Sequence, residues 1–412
     1  MEEIFINKIK INKVRNLDDF EIFLSEKEKK NLIITGKNGS GKTTLLSEIK
    51  QYLTNIPNGQ FEYFENQAKA LLQRENNLHL LEANSLNSPQ IIDQEKKQIA
   101  DFKRWFDKFG GTDIEFNNGH LLDSSYKSGN YIIAYFGAKR NIELNIPKGI
   151  NAIEFRPVYS IDEFAGKDFI QFIVNLKADR SFAKDDSDIE SVKKIDEWFS
   201  FFEENLFRLF NNKNIKLQFD RKTYNFNLIE KGKKPYNLNQ LSDGYSAILR
   251  IVTELIMRME TQHAKVYDVQ GIVLIDEIET HLHVELQKTV LPFLTSFFPK
   301  VQFIVTTHSP FVISSLKNVI ICDIEKRFVI EDLSGYSYDA IIESYFDSDK
   351  YSNQLKEKLE QYELLLKKES LTDNEKESLF EIKKYFNGIP KFLSKELELK
   401  LYQLELQYKD KL

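Results

Sequence analysis

Eight residues near the start of the chain, Gly36-Lys37-Asn38-Gly39-Ser40-Gly41-Lys42-Thr43, satisfy the spacing G-x-x-x-x-G-K-[ST] at every fixed position. The chemistry of such a run is that of a phosphate cradle. Glycines let backbone N–H groups turn inward, and a helix that follows adds partial positive charge at its first turn. Lys42 is placed to reach the β- and γ-phosphates of ATP, and the Thr43 hydroxyl to complete the coordination of Mg2+, while Gly36, Asn38, Gly39, Ser40, Gly41 and Thr44 line the phosphate path. A glycine-rich turn that binds nothing has the same local composition, so partners downstream decide. Asp276 and Glu277 end the apolar run Ile272-Val273-Leu274-Ile275. One acid at a strand end can hold a metal and its neighbour can polarise an attacking water, which assigns the metal to Asp276 and the base to Glu277. His308 follows the next apolar run, Phe303-Ile304-Val305, and its place brings it toward the γ-phosphate as a hydrogen-bonding sensor.

These side chains need a sheet to bring them together. Leu32-Ile33-Ile34 is short enough for a buried strand and Thr43–Ile49 reads as a helix, the order a phosphate cradle requires. The runs ending in Asp276 and in His308 read as two more buried strands, and an open α/β sheet binds ligands at such carboxyl ends. Leu241-Ser242-Asp243-Gly244-Tyr245 stands before an amphipathic helix over Ser246–Met259; alone it is a capped start, since Ser and Asp favour N-caps. Strands are expected over Phe5–Val14, Phe20–Leu24, Tyr131–Phe136, Ile215–Asp220 and Tyr224–Glu230, and helices over Phe64–Leu81, Gln94–Phe109, Ile161–Lys177 and Ile189–Phe210. The basic turn Lys231–Pro235 reads as a solvated loop. Three Lys-, Glu- and Leu-rich helices close the chain. The expected organisation is an N-terminal lobe over 1–49, a helical insertion over 50–130, the rest of the nucleotide domain over 131–335 and a helical appendage over 336–412.

At 412 residues the chain exceeds what a single core normally supports. A net charge of -6 argues against a surface basic throughout, while a local basic groove stays compatible with DNA. Cys322 is the only cysteine, which excludes an intrachain disulfide and points to a reducing cytoplasm. The start Met1-Glu2-Glu3-Ile4 lacks the pattern of a secretion signal, and no run approaches a membrane-spanning length, so no membrane association is expected.

The ordered set Gly36–Thr43, Leu241–Gly244, Ile272–Glu277 and Thr307-His308 resembles the ABC-type ATPase heads of the SMC, RecF and OLD group, over most of the chain up to about Asp332. The resemblance implies an α/β P-loop head with a helical insertion and a C-terminal helical appendage. It further implies ATP hydrolysis between two heads, with Ser242 and Gly244 of one subunit meeting the γ-phosphate held by Lys42 of the other. Tyr135–Arg140, Asn175–Asp179, Leu241–Leu249, Asp276–His283 and Gly335–Ile341 are similar to the AAA-family ATPases of Septu and retron anti-phage systems, which act beside a separately encoded HNH nuclease. A homodimer or higher homo-oligomer that regulates an effector protein is thereby implied; a RecF- or SMC-like repair ATPase on duplex DNA is the alternative.

Departures from the wider pattern are specific. Leu-Ser-Asp-Gly-Tyr replaces the Leu-Ser-Gly-Gly-Gln of transport ATPases, and no glutamine-loop residue follows the Tyr131 strand, where Arg140 stands as a nucleotide-sensing candidate. His283 takes the place of the usual D-loop aspartate. Asp347-Ser348-Asp349 matches the D-x-D of Toprim nucleases but lacks an upstream glutamate strand, and His281 with His283 lacks a third zinc ligand, so no intact nuclease motif or zinc site is expected.

Overall fold

The computed structural model describes residues 2–14, 17–58, 61–83, 89–106, 111–260, 269–342, 353–368, 370–388 and 395–408. Two units divide the chain, Met1–Tyr336 and Ser337–Leu412. The first opens with β1 (Ile6–Val14) and β2 (Leu17–Phe23), antiparallel with Ile9 opposite Ile22. Next come β3 (Asn31–Thr35), α1 (Lys42–Leu53), α2 (Phe61–Ala83) and α3 (Pro89–Phe106). Ion pairs Arg74–Glu95, Lys96–Glu82 and Lys103–Glu75 cross between α2 and α3.

Within the stretch read as helical to 130, Thr112–Phe116 is instead a strand, β4, which buries Thr112 and Ile114 and pairs with β1. Its alternation covers five residues and its partner lies about a hundred residues away, so the helical pattern on both sides masks it. After α4 (Leu122–Lys127) and β5 (Tyr131–Phe136) the chain is irregular, and the helix expected from Ile161 starts only at α5 (Phe169–Asp185). Gly166 explains the delay: its N–H donates to Glu254 Oε2 at 2.7 Å, and a Cβ there would lie 2.8 Å from a backbone nitrogen. Next, α6 (Ile189–Phe210) is capped by Asp188, which accepts the Ser191 N–H, and ends at left-handed Asn211. A small antiparallel sheet follows, formed by β6 (Lys216–Asp220), β7 (Asn225–Ile229) and β8 (Tyr236–Asn237).

The chain then runs through α7 (Asp243–Met259), β9 (Gln270–Ile275), α8 (Val284–Phe297), β10 (Val301–Thr306), α9 (Pro310–Ile313), β11 (Val319–Asp323) and β12 (Phe328–Glu331). The central sheet has the order β12-β11-β3-β10-β9-β5, parallel except for β12 at its edge, so the α/β class expected from the sequence is the one observed. Its parallel strands read as largely apolar runs because both faces are covered, whereas β12 at the edge alternates. Leu32, Ile34, Ile272, Leu274, Ile304, Ile320 and Cys322 join β1 and α1 in one core, and the alternate residues Ile33, Val273, Ile275, Phe303, Val305 and Ile321 are equally buried. Buried Gln270 and Gln302 accept the N–H groups of Ile4 at 2.7 Å and Ile6 at 2.8 Å, which fastens the N-terminal strand to the sheet.

Helix α7 is buried almost all round and carries a buried ion pair, Arg258 Nε to Glu254 Oε1 at 2.5 Å. Arg258 also donates to the carbonyls of Ile133, Ser160 and Glu163, holding the irregular segment in place. The second unit comprises α10 (Tyr338–Ala340), α11 (Asn353–Lys367), α12 (Asp373–Asn387) and α13 (Lys395–Gln407), with Leu359, Tyr362, Leu366, Ile382, Phe386 and Leu397 in its core. Asp347-Ser348-Asp349 lies outside the described residues. Among the described residues no helix is long and apolar enough to cross a membrane.

Candidate functional site

Strands β3, β10 and β9 are neighbours and parallel, so the chain leaving their carboxyl ends converges on one edge of the sheet. After β3, Gly36 (φ 143), Gly39 (φ 84) and Gly41 (φ 105) adopt conformations that L side chains rarely take, and these bend the loop back to the start of α1. Gly41 is the N-cap of α1, with no side-chain cap, so no capping side chain competes with an anion for the first-turn N–H groups. Lys42 is only 6% exposed and its Nζ donates to the carbonyls of Gly36 at 2.7 Å and Lys37 at 3.0 Å. Burial pushes its pKa down, against the pull of Glu279, Glu277, Asp276 and Asp323.

Thr43 Oγ1 donates to Asp276 Oδ1 at 3.1 Å, and the same oxygen receives the Thr306 hydroxyl at 2.6 Å. That hydroxyl in turn accepts the Glu277 N–H at 2.7 Å. Glu277 sits at φ 44, a left-handed conformation uncommon for a side-chain-bearing residue. Its Oε2 accepts the Thr280 hydroxyl at 3.2 Å. Behind this turn Arg140, 1% exposed, donates to the carbonyls of Gly137 (2.9 Å), Asp276 (2.6 Å), Glu277 (2.9 Å) and Ile278 (3.2 Å). Burial pushes its guanidinium down to about 10, still charged at neutral pH. The expectation of nucleotide sensing by Arg140 is therefore corrected: its guanidinium bonds go to four backbone carbonyls, and it holds the acidic turn from behind.

His308 follows β10. Its Nδ1 lies 2.9 Å from Glu279 Oε1, a bond that raises the imidazole pKa against partial burial. Asn38, Gly39, Gly41, Lys42, Thr43, Glu277 and His308 line one open cavity of about 350 Å³. Gly36, Ser40 and Asp276 border it through the loop and the threonine contacts, while Thr44 lies on the first turn of α1, half-buried and outside the lining. Ser242 and Gly244, at the start of α7, are not brought to this cavity. Ser242 is exposed, and Gly244 is packed so closely that a Cβ would meet the His281 carbonyl at 3.0 Å. Two contributors escaped the sequence reading. Glu279 stood inside the acidic motif with no role, and Thr306 looked like an ordinary strand end.

The residues present fit Mg2+ and a triphosphate. Ser40 Oγ is buried without a hydrogen-bond partner beside the uncapped helix start, as a loop shaped for additional acceptors would leave it. Among the described residues no three His, Cys, Asp or Glu groups gather as a metal site. One hydroxyl and one carboxylate, Thr43 and Asp276, make the sparse set that Mg2+ accepts when phosphate oxygens and water complete its shell.

Residues 113–314 match the family described as "AAA domain, putative AbiEii toxin, Type IV TA system". The Septu protein PtuA of Bacillus mycoides (strain KBAB4) is 30% identical over 175 residues, 40% of this chain and 24% of that protein. The Retron Vc95 probable ATPase of Vibrio cholerae serotype O1 biovar El Tor is 22% identical over 88% of this chain and 85% of its own length. This chain thus spans about a quarter of the Septu relative and most of the retron one. A solved SMC head, bound to the C-winged helix domain of ScpA, covers 80% of this chain and 99% of that chain at 15% identity and a TM-score of 0.38. Residues 113–314 are thus similar to that AAA domain, and the chain is similar to the Septu PtuA and retron ATPases.

Proposed function

We propose that this chain binds ATP with Mg2+ at the Gly36–Thr43 loop, hydrolyses it to ADP and phosphate, and serves as the oligomeric sensor and regulator of an anti-phage system with a separately encoded effector nuclease. The observation that carries the reading is the single cavity in which the phosphate loop, Glu277 and His308 meet, with Asp276 bonded to Thr43 at its rim. Similarity to Septu PtuA and retron ATPases supports the defence setting.

In this reading Lys42 exchanges the carbonyls of Gly36 and Lys37 for β- and γ-phosphate oxygens. Thr43 and Asp276 hold Mg2+, which supplies charge neutralisation on the phosphates. Glu277 accepts the proton of the attacking water, its backbone fixed by Thr306 and Arg140. His308, with Nδ1 taken by Glu279, presents Nε2 to the terminal phosphate. Exposed Ser242, with Asp243 and Gly244 opening α7, completes the cleft of a second copy, so ATP joins subunits and hydrolysis releases them.

Light scattering with ATP and Mg2+ tests this directly. Glu277→Gln should accumulate an ATP-held oligomer and release no phosphate, whereas Lys42→Ala should remain in its nucleotide-free state. An oligomeric state indifferent to ATP in the wild type and both variants would overturn the subunit-bridging part.

A further inference from the structure

The turn carrying Glu277 and the turn carrying His308 are joined at three points. Ile278 N–H donates to the Thr306 carbonyl at 3.1 Å, and Glu277 N–H donates to Thr306 Oγ1 at 2.7 Å. The third link is Glu279, whose Oε1 accepts both the backbone N–H of His308 at 2.8 Å and its ring Nδ1 at 2.9 Å. A single carboxylate oxygen therefore governs both the backbone and the ring of His308. The two side chains differ in setting: Glu279 is 6% exposed, while that of His308 is 50% exposed and borders the cavity. Burial pushes the Glu279 carboxyl up, but the His308 bonds, together with the Glu279 backbone and the Thr307 hydroxyl, outweigh it and hold it below the ordinary range, so the acceptor stays ionised. The other charges felt by His308 are Lys42 and Glu277, both lining the cavity.

We propose that Glu279 is the positioning residue of this cleft: it accepts a hydrogen bond from the Nδ1–H of His308, fixes the ring so that Nε2 faces the terminal phosphate, and ties His308 to the turn that carries Glu277. Glu279 itself touches no substrate. The phosphate end of this role rests on the proposed ATPase reading, whereas the locked ring belongs to the nucleotide-free protein and is measured there.

Long-range 1H–15N spectra of 15N-histidine-labelled protein without nucleotide, assigned with His308→Ala, should show a protected His308 Nδ1–H. Glu279→Ala should abolish that signal. Glu279→Gln, whose amide oxygen accepts the same N–H groups, should keep it. In turnover, Glu279→Ala should lower kcat by about ten- to a hundredfold, the usual cost of losing an orienting partner, with little change in KM for ATP, and Glu279→Gln should recover most of it. Added to His308→Ala, Glu279→Ala should cost nothing further, because both act through one ring. An Nδ1–H signal unaltered by Glu279→Ala, or a further fall in kcat on the His308→Ala background, overturns the proposal. Absence of turnover in the wild type would strike the ATPase reading and leave the spectroscopic result to decide the ring.

Discussion

Arg140 offers the sharpest separation between holding the site and touching its ligand. Its guanidinium is 1% exposed and spans four carbonyls, those of Gly137, Asp276, Glu277 and Ile278. Arg140→Met keeps the volume of the stem and removes every donor. The bonds to Asp276 and Ile278 are fully buried, and each buried carbonyl left without a partner costs about 1–3 kcal/mol, which sets a range of about 2–6 kcal/mol for the pair. Methionine escapes the desolvation that already pulls the arginine pKa down to about 10, so the lower half of that range, about 2–4 kcal/mol, is expected. Equilibrium urea unfolding reads this as a lower midpoint. Arg140→Lys should fall between, since an ammonium has three donors and no planar fork to span the turn. Turnover should fall in Arg140→Met because Glu277 loses the support of its carbonyl. A variant within about 0.5 kcal/mol of wild type, the usual effect of a surface change, that nonetheless lost ATP affinity would refute the clamp and restore nucleotide sensing.

Thr306→Val removes a hydroxyl that bonds Asp276 and accepts the Glu277 N–H; it should cost about 1–3 kcal/mol in urea unfolding and weaken Mg2+ dependence of nucleotide binding, and an unchanged protein would count against the shared anchor. Arg258→Met leaves Glu254 buried and unpaired, so a loss of about 3–5 kcal/mol is expected in the same assay, with a neutral result showing the pair to be dispensable. The His308–Glu279 pair gives a pH signature. His308 is raised from its ordinary 6.5, so its contribution is complete below that value and is lost as pH rises through the higher folded one. Glu279 is lowered from 4.5, so its contribution is complete above that value and is lost as pH falls through the lower folded one. The stability difference between wild type and His308→Gln should therefore be greatest between about 4.5 and 6.5 and shrink above; a difference that grew with alkaline pH would contradict the pairing.

The cradle and the two acidic and histidine-bearing strand ends were legible because each joins an apolar run to polar residues, and residues 272–275 and 303–305 are such runs with both faces buried. Helix α6 was legible from end to end because its apolar residues recur at three- and four-residue spacing and Asp188 caps it. Partners that act through the backbone left no such trace. Arg140 works on four carbonyls, and carbonyls carry no sequence signature. The same holds for Gly166, whose close packing against α7 delays α5, and for β4, whose pairing with β1 is set across about a hundred residues. Glu279 was visible only as a letter in a motif until the fold brought it to His308.

Equilibrium titration with a fluorescent, non-hydrolysable ATP analogue in the presence of Mg2+ addresses the cleft most directly. Wild-type protein should bind one analogue per chain saturably, and Lys42→Ala, stripped of the ammonium curled over the loop, should bind at least about a hundredfold more weakly, the loss of one or two charge-assisted hydrogen bonds. Equal affinity in the two proteins would place the nucleotide elsewhere and contradict the assignment of Gly36–Thr43 as its seat.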